Sequence, residues 1–110
     1  MPQITVDHSA PLDRRGFALA LHPLVVQTVD TRIENCKTRF RAVEEAVVGD
    51  GTGDDVVVHV EIAVLPGRTD ETKARLAEAV VALLPAYVKE LGAARLSAEV
   101  RDLEPSYRKV

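Results

Sequence analysis

Apolar and polar positions alternate from the first residues of the chain. In "MPQITVDHSA", Ile4, Val6 and His8 fall on one side and Gln3, Thr5 and Asp7 on the other, the period of a β-strand. The period then changes. Phe17, Leu21, Leu24 and Val25 recur at helical spacing to about Thr28, after a start marked by Pro11 and Asp13. Pro23 lies inside that run and should bend the helix or remove one of its hydrogen bonds. Alternation returns over 37–48, "KTRFRAVEEAVV", with Lys37, Arg39, Arg41 and Val43 on one face and Thr38, Phe40 and Ala42 on the other. The glycine-rich "GDGTGDD" over 49–55 joins two extended runs and predicts a hairpin. The run 56–65, "VVVHVEIAVL", is the most apolar and predicts a central strand.

A second helix should follow, capped by Thr69 or Asp70. Its apolar stripe is Leu76, Val80, Leu83, Leu84, Tyr87, Val88 and Leu91, and Gly92 is its expected stop. "RLSAEVRDLE" over 95–104 predicts the last strand, and "PSYRKV" a short tail. The predicted order is β-α-β, hairpin, β-α-β. The fold class is α+β: two β-α-β units forming a four-stranded sheet, with right-handed crossovers placing both helices on one face. A single domain is expected over 1–110. Its halves, 2–48 and 56–105, share a plan: "ITVDH" and "VHVEI" open them, and Pro23 and Pro85 fall late in their helices. These identities do not decide between duplication and the ordinary likeness of two amphipathic helices. Valine runs along both sides of 56–64, so the second sheet face should need a cover, for which other subunits are the economical choice.

Composition narrows the function. Lys and Arg number 14 against 17 Asp and Glu, a net charge of -3, so there is no footprint for nucleic acid or an anionic membrane. There is no Trp, and the aromatics are Phe17, Phe40, Tyr87 and Tyr107, too few for base stacking. Cys36 stands alone, which excludes an internal disulfide and a cysteine-based metal cluster. His8, His22 and His59 lack metal-ligand spacing and are expected as buried or interface histidines. No stretch is long and apolar enough to span a membrane, and the start carries no export signal, so a cytoplasmic location is expected.

Three features could carry chemistry. Removal of Met1 would leave Pro2 with a secondary amine at the tip of the first strand. Burial and nearby cations would hold that amine neutral and make it a general base; the other reading is an ordinary chain start, proline being tolerated after methionine. Lys37, Arg39 and Arg41 project from one strand face, as an anion site or as a solvated edge strand whose charge blocks aggregation. Arg68 sits before the second helix, as part of an anion site with the free backbone N–H groups there or as a loop arginine in water.

Together, "MPQITVDHS", "KTRFRA", "VVVHVEIAVLPGRT" and "LSAEVRDLEP" resemble the 5-carboxymethyl-2-hydroxymuconate isomerase family of the tautomerase superfamily. The resemblance implies a tautomerase-like fold, a homotrimer with active sites near subunit boundaries, and an amino-terminal proline freed by loss of methionine. It implies that Pro2 transfers the proton and that Arg68 helps hold a small unsaturated carboxylate. The family's Arg-x-Arg pair falls on Lys37 and Arg39 without a gap, or on Arg39 and Arg41 with a two-residue shift. Lysine cannot reproduce the bidentate grip of arginine, so this departure bears on the substrate. No metal or cofactor is implied. The expected reaction interconverts keto, enol or dienol forms of an acid such as 5-carboxymethyl-2-hydroxymuconate. Two alternatives remain open: a superfamily decarboxylase or dehalogenase acting on a small acid, and a non-catalytic trimeric binding protein on the same fold.

Overall fold

The structure is a computed structural model that describes residues 1–89 and 92–110. Strand β1 (Gln3–His8) leads into helix α1 (Arg14–Val29), and a single 3-10 turn (Ile33–Asn35) precedes β2 (Lys37–Ala42). Strand β3 (Val56–Val64), helix α2 (Asp70–Leu83) and strand β4 (Ala94–Asp102) complete the order. The four strands form one sheet in the order β2-β1-β3-β4. Each β-α-β unit contributes a parallel pair, β1 with β2 and β3 with β4, while β1 and β3 run antiparallel at the centre.

The alternation predicted for β1 is the one observed. Ile4, Val6 and His8 are buried on the helix side, where they meet Ile62, Val60 and Val58 across the β1–β3 ladder. Phe17, Leu21, Val25 and Val29 of α1 and Leu76 and Val80 of α2 close over this row. The core is aliphatic apart from Phe17, whose ring packs 5.9 Å from that of Tyr87. Asp13 caps α1 by accepting from the Gly16 N–H, and Thr69 caps α2 by accepting from Thr72 N–H. Both satisfy donors that a helix start leaves without intrahelical partners.

Three expectations are corrected. First, 49–55 is a turn, with Gly49 and Gly51 at positive φ, but not the turn of a hairpin. β2 and β3 lie on opposite edges of β1 and do not pair. The α1 crossover brings β2 alongside β1, and β3 takes the other edge of β1, where Val58, Val60 and Ile62 are covered by both helices. β2 also stops at Ala42, short of Val48. Second, α2 ends at Leu83, well before Gly92, and Leu84–Ala86 tightens into a 3-10 turn. Pro85 has no N–H to continue the helical ladder. Leu91, the last position of the predicted stripe, lies outside the described residues. By contrast, Pro23 sits inside α1, which runs on to Val29.

Third, the valine run of β3 does not make two apolar faces. Val58, Val60, Ile62 and Val64 face the helices, whereas the other side of β3 presents Val57, His59, Glu61 and Ala63. Their neighbours on that uncovered face are Gln3, Thr5 and Asp7 of β1, Lys37, Arg39 and Arg41 of β2, and Arg95, Ser97, Glu99 and Arg101 of β4. The face is predominantly polar. The basic row, left open as an anion site or a solvated edge, has cross-strand partners for Arg39 and Arg41. Arg41 makes a two-pronged pair with Asp7 (2.8 and 3.3 Å), and Arg101 pairs with Glu61 at 3.2 Å. Cross-strand neighbours relieve the repulsion that a lone row would suffer.

Candidate active site

The site is built where the start of β1 meets the end of α1 and the end of β3. Pro2 immediately precedes β1 and is buried. Its carbonyl accepts a hydrogen bond from the Lys37 backbone N–H at 3.3 Å, which ties the chain start to β2. Pro2 lines a small cleft with Met1, Val29, Thr31, Val64, Leu65 and Arg68. The cleft holds about 10 Å³, the space of roughly one water. Met1 is part of its wall.

Arg68 reaches this cleft from the β3–α2 loop, after Gly67 at φ 123°. That angle is in the region where glycine carries no steric penalty. The guanidinium does not turn to the start of α2. Its Nε and Nη2 donate to the carbonyl of Val29 (3.0 and 2.7 Å), and Nη1 donates to the carbonyl of Leu65 at 3.1 Å. A cation is thus placed at the C-terminal end of α1, where carbonyls lack helical partners and the helix dipole is negative. A wider cleft of about 450 Å³ lies on the other side of Arg68, lined by Thr28, Val29, Asp30, Gly67, Thr69 and Thr72.

The amine that begins the chain is unusual in its electrostatics. It is held down from 8.0 to about 6, chiefly by burial, then by a hydrogen bond and the charge of Lys37, and by the charge of Lys109. Nearby positive charge and poor solvation both disfavour a protonated amine. Cys36, just below, is buried, and burial pushes its thiol up, as suits an inert side chain.

The candidate residues therefore divide. Pro2 and Arg68 share one cleft, and Lys37 stands beside the chain-terminal amine. Arg39 and Arg41 project from the uncovered sheet face, away from the side on which Pro2 is buried, and one protomer does not bring them to Arg68. Arg39 donates to Gln3 Oε1 (2.7 Å) and to Thr5 Oγ1 (3.3 Å). His8, His22 and His59 hydrogen-bond to Ala10, Thr38 and Ser97, and His8 and His59 point to opposite faces of the sheet. Among the described residues no group of three His, Cys, Asp or Glu side chains could hold a metal ion, and no helix is long and apolar enough to cross a membrane.

Sequence reasoning passed over the C-terminal tail. Tyr107 accepts a hydrogen bond from Gln3 Nε2 at 3.1 Å, and the charge of Lys109 is felt by the chain-terminal amine. The only signal was a tyrosine followed by Arg108 and Lys109 in a short tail.

Solved structures of known proteins share this architecture. A 5-carboxymethyl-2-hydroxymuconate isomerase from Deinococcus radiodurans R1 superposes with a TM-score of 0.80 at 20% identity, over 98% of this chain and 88% of that one. A fused 4-OT protein, solved as a symmetric trimer, gives 0.80 at 18% identity, over 99% and 93%. FG41 malonate semialdehyde decarboxylase inhibited by 3-bromopropiolate gives 0.66 at 23%, over 94% and 82%. A comparison with curated proteins finds no match. The sheet order, the paired helices and these likenesses define a tautomerase-fold protein. The chain belongs to the 5-carboxymethyl-2-hydroxymuconate isomerase family, whose model matches residues 2–109. It is a tautomerase-superfamily isomerase.

Proposed function

We propose that this isomerase acts without a cofactor on an unsaturated keto or enol carboxylate of the 5-carboxymethyl-2-hydroxymuconate type, with the Pro2 amine as general base once Met1 is removed. The supporting observation is that buried Pro2 lines one cleft with Arg68, next to Lys37, which lowers the amine of the adjacent Met1. A neutral secondary amine can take the proton from a dienol oxygen and return one to carbon. Arg68 would hold a substrate carboxylate with the N–H groups not used on Val29 and Leu65, and Lys37 would add charge beside the nitrogen. Loss of Met1 would free the nitrogen and widen the cleft that Met1 now helps to wall. In this reading Arg39 and Arg41 reach a substrate only by serving a neighbouring subunit's cleft.

The test is ketonisation followed by ultraviolet absorbance, with the processed protein offered 5-carboxymethyl-2-hydroxymuconate, 2-hydroxymuconate and phenylenolpyruvate. Turnover of a muconate faster than phenylenolpyruvate is expected, because a second carboxylate meets a second cation. Equal rates, or none, would remove the substrate assignment.

The same reading includes a homotrimer. The uncovered face of the sheet and the edge strands β2 and β4 are available for contact, and the 4-OT protein of the same fold is a symmetric trimer. Light scattering at micromolar concentration should give three times the chain mass; a monomer would refute the assembly.

A further inference from the structure

The C-terminal tail is held in place over the uncovered face at the start of β1. Leu103 N–H donates to the Val64 carbonyl at 2.7 Å, carrying the β3–β4 ladder past Asp102. Tyr107 N–H closes a turn onto the Glu104 carbonyl at 3.0 Å. Arg108 Nη1 braces that turn by donating to the Pro105 and Tyr107 carbonyls (3.0 and 2.8 Å). The turn brings the phenol of Tyr107 to Gln3, the residue after Pro2 and the register partner of Lys37.

The direction of the hydrogen bonds here is determined by Arg39. A guanidinium carries only donors, so the Gln3 side chain must turn its oxygen to Arg39 Nη1 (2.7 Å). Its NH₂ group is then left facing Tyr107, and the phenol oxygen accepts at 3.1 Å. One lone pair of that oxygen is used, and the O–H proton is left to be donated elsewhere. The surrounding charge favours an anion as its acceptor: Lys37 follows Gln3 across the β1–β2 register, and Lys109 lies two residues beyond Tyr107.

We propose that Tyr107 is a carboxylate-binding donor on the tail side of the site, aimed by Arg39 through Gln3. Arg39 is then a positioning residue that orients an amide, which in turn orients a phenol, and it does not grip the substrate itself. Gln3 faces the uncovered side and Arg68 the helix side, so the bound acid wraps around the start of β1, with one carboxylate at Arg68 and the other at Tyr107. The inference rests on the start of β1 being the binding site, but not on Pro2 being the base.

Titration calorimetry on the Pro2-terminated protein tests it without turnover, so a wrong assignment of the base leaves the result readable. The probes are muconate, with a carboxylate at each end, and sorbate, the same diene chain with a methyl group replacing one carboxylate. Muconate should bind more tightly than sorbate. Tyr107→Phe should weaken muconate by about tenfold or more, the effect of losing a hydrogen bond to a charged group, and leave sorbate unchanged. Gln3→Glu offers the phenol an acceptor and should weaken muconate likewise. Adding Tyr107→Phe to Gln3→Glu should then cost nothing further. Unchanged muconate affinity in Tyr107→Phe, equal loss of both probes, or a parent that does not prefer muconate would overturn the role of Tyr107. Full additivity in the double variant would overturn the aiming through Gln3, because the added charge alone would then explain Gln3→Glu.

Discussion

A form of the protein that keeps Met1 is expected to turn over a dienol acid roughly 100-fold to 10,000-fold more slowly than the Pro2-terminated form, the usual contribution of a general base. With Met1 attached, the Pro2 nitrogen is an amide and has no basic lone pair. The Met1 amine does not replace it, although it is held down to about 6. It lies one residue further out along the chain, and a displacement of about 1 Å already costs on the order of a hundredfold. Pro2→Ala in a processed chain leaves a primary amine near the correct place and should keep part of the activity. The pH dependence follows from the sign of the shift. A base works when neutral, and burial and Lys37 disfavour the protonated form. In the processed chain the same burial and the charge of Lys37 would act on the Pro2 amine, so activity should rise with pH through a midpoint as that amine loses its proton, and level off above it. Lys37→Met removes one of the charges that lower the amine and should move that midpoint upward. Mass spectrometry of each preparation, followed by the absorbance assay across pH, measures all of this. A Met1-bearing protein as fast as the processed one would remove Pro2 as the base.

Arg68→Ala should weaken a dicarboxylate by about 1.5–3 kcal/mol, the range of a hydrogen bond to a charged group. The substitution also withdraws the donors that hold the Val29 and Leu65 carbonyls, so part of its effect will be on stability. Those carbonyls border a cleft that water can reach, which limits that loss to about 1–2 kcal/mol. The two effects separate by experiment. Arg68→Lys retains a charge but lacks the planar fork, so it cannot hold two carbonyls and a carboxylate at once. It should recover less of the affinity than of the melting temperature. Calorimetry with muconate beside thermal unfolding reads both. If the melting temperature falls in Arg68→Ala while affinity stays at the parent value, Arg68 is a pin between α1 and the β3–α2 loop and not a substrate ligand.

What was legible in the sequence depended on how local its cause was. The period of β1, the helix starts near Asp13 and at Thr69 or Asp70, and the helical spacing of Phe17, Leu21 and Val25 are short-range patterns. Each is dictated by which side chains a strand or helix can bury. Resemblance along the chain identified the family and placed Pro2 and Arg68 at the matching positions of its pattern. The errors came where a local signal was extended to a pairing. The glycines of 49–55 require a turn, but whether the flanking strands pair depends on which edges of β1 remain available, and that is decided by the α1 crossover.

The sequence by itself determined the α+β order, the aliphatic core, the helix starts and the family, because these follow from side-chain periodicity, capping chemistry and motif order. Only the tertiary structure decided who faces whom. It placed Arg39 and Arg41 on the side away from Pro2 and paired Arg41 with Asp7. It turned Arg68 to the end of α1 and brought Tyr107 from the tail to Gln3 near the chain start. Contacts between residues so distant in sequence arise from the register of a β2-β1-β3-β4 sheet. A shift of that register by one residue would exchange every strand's two faces while leaving each local pattern unchanged.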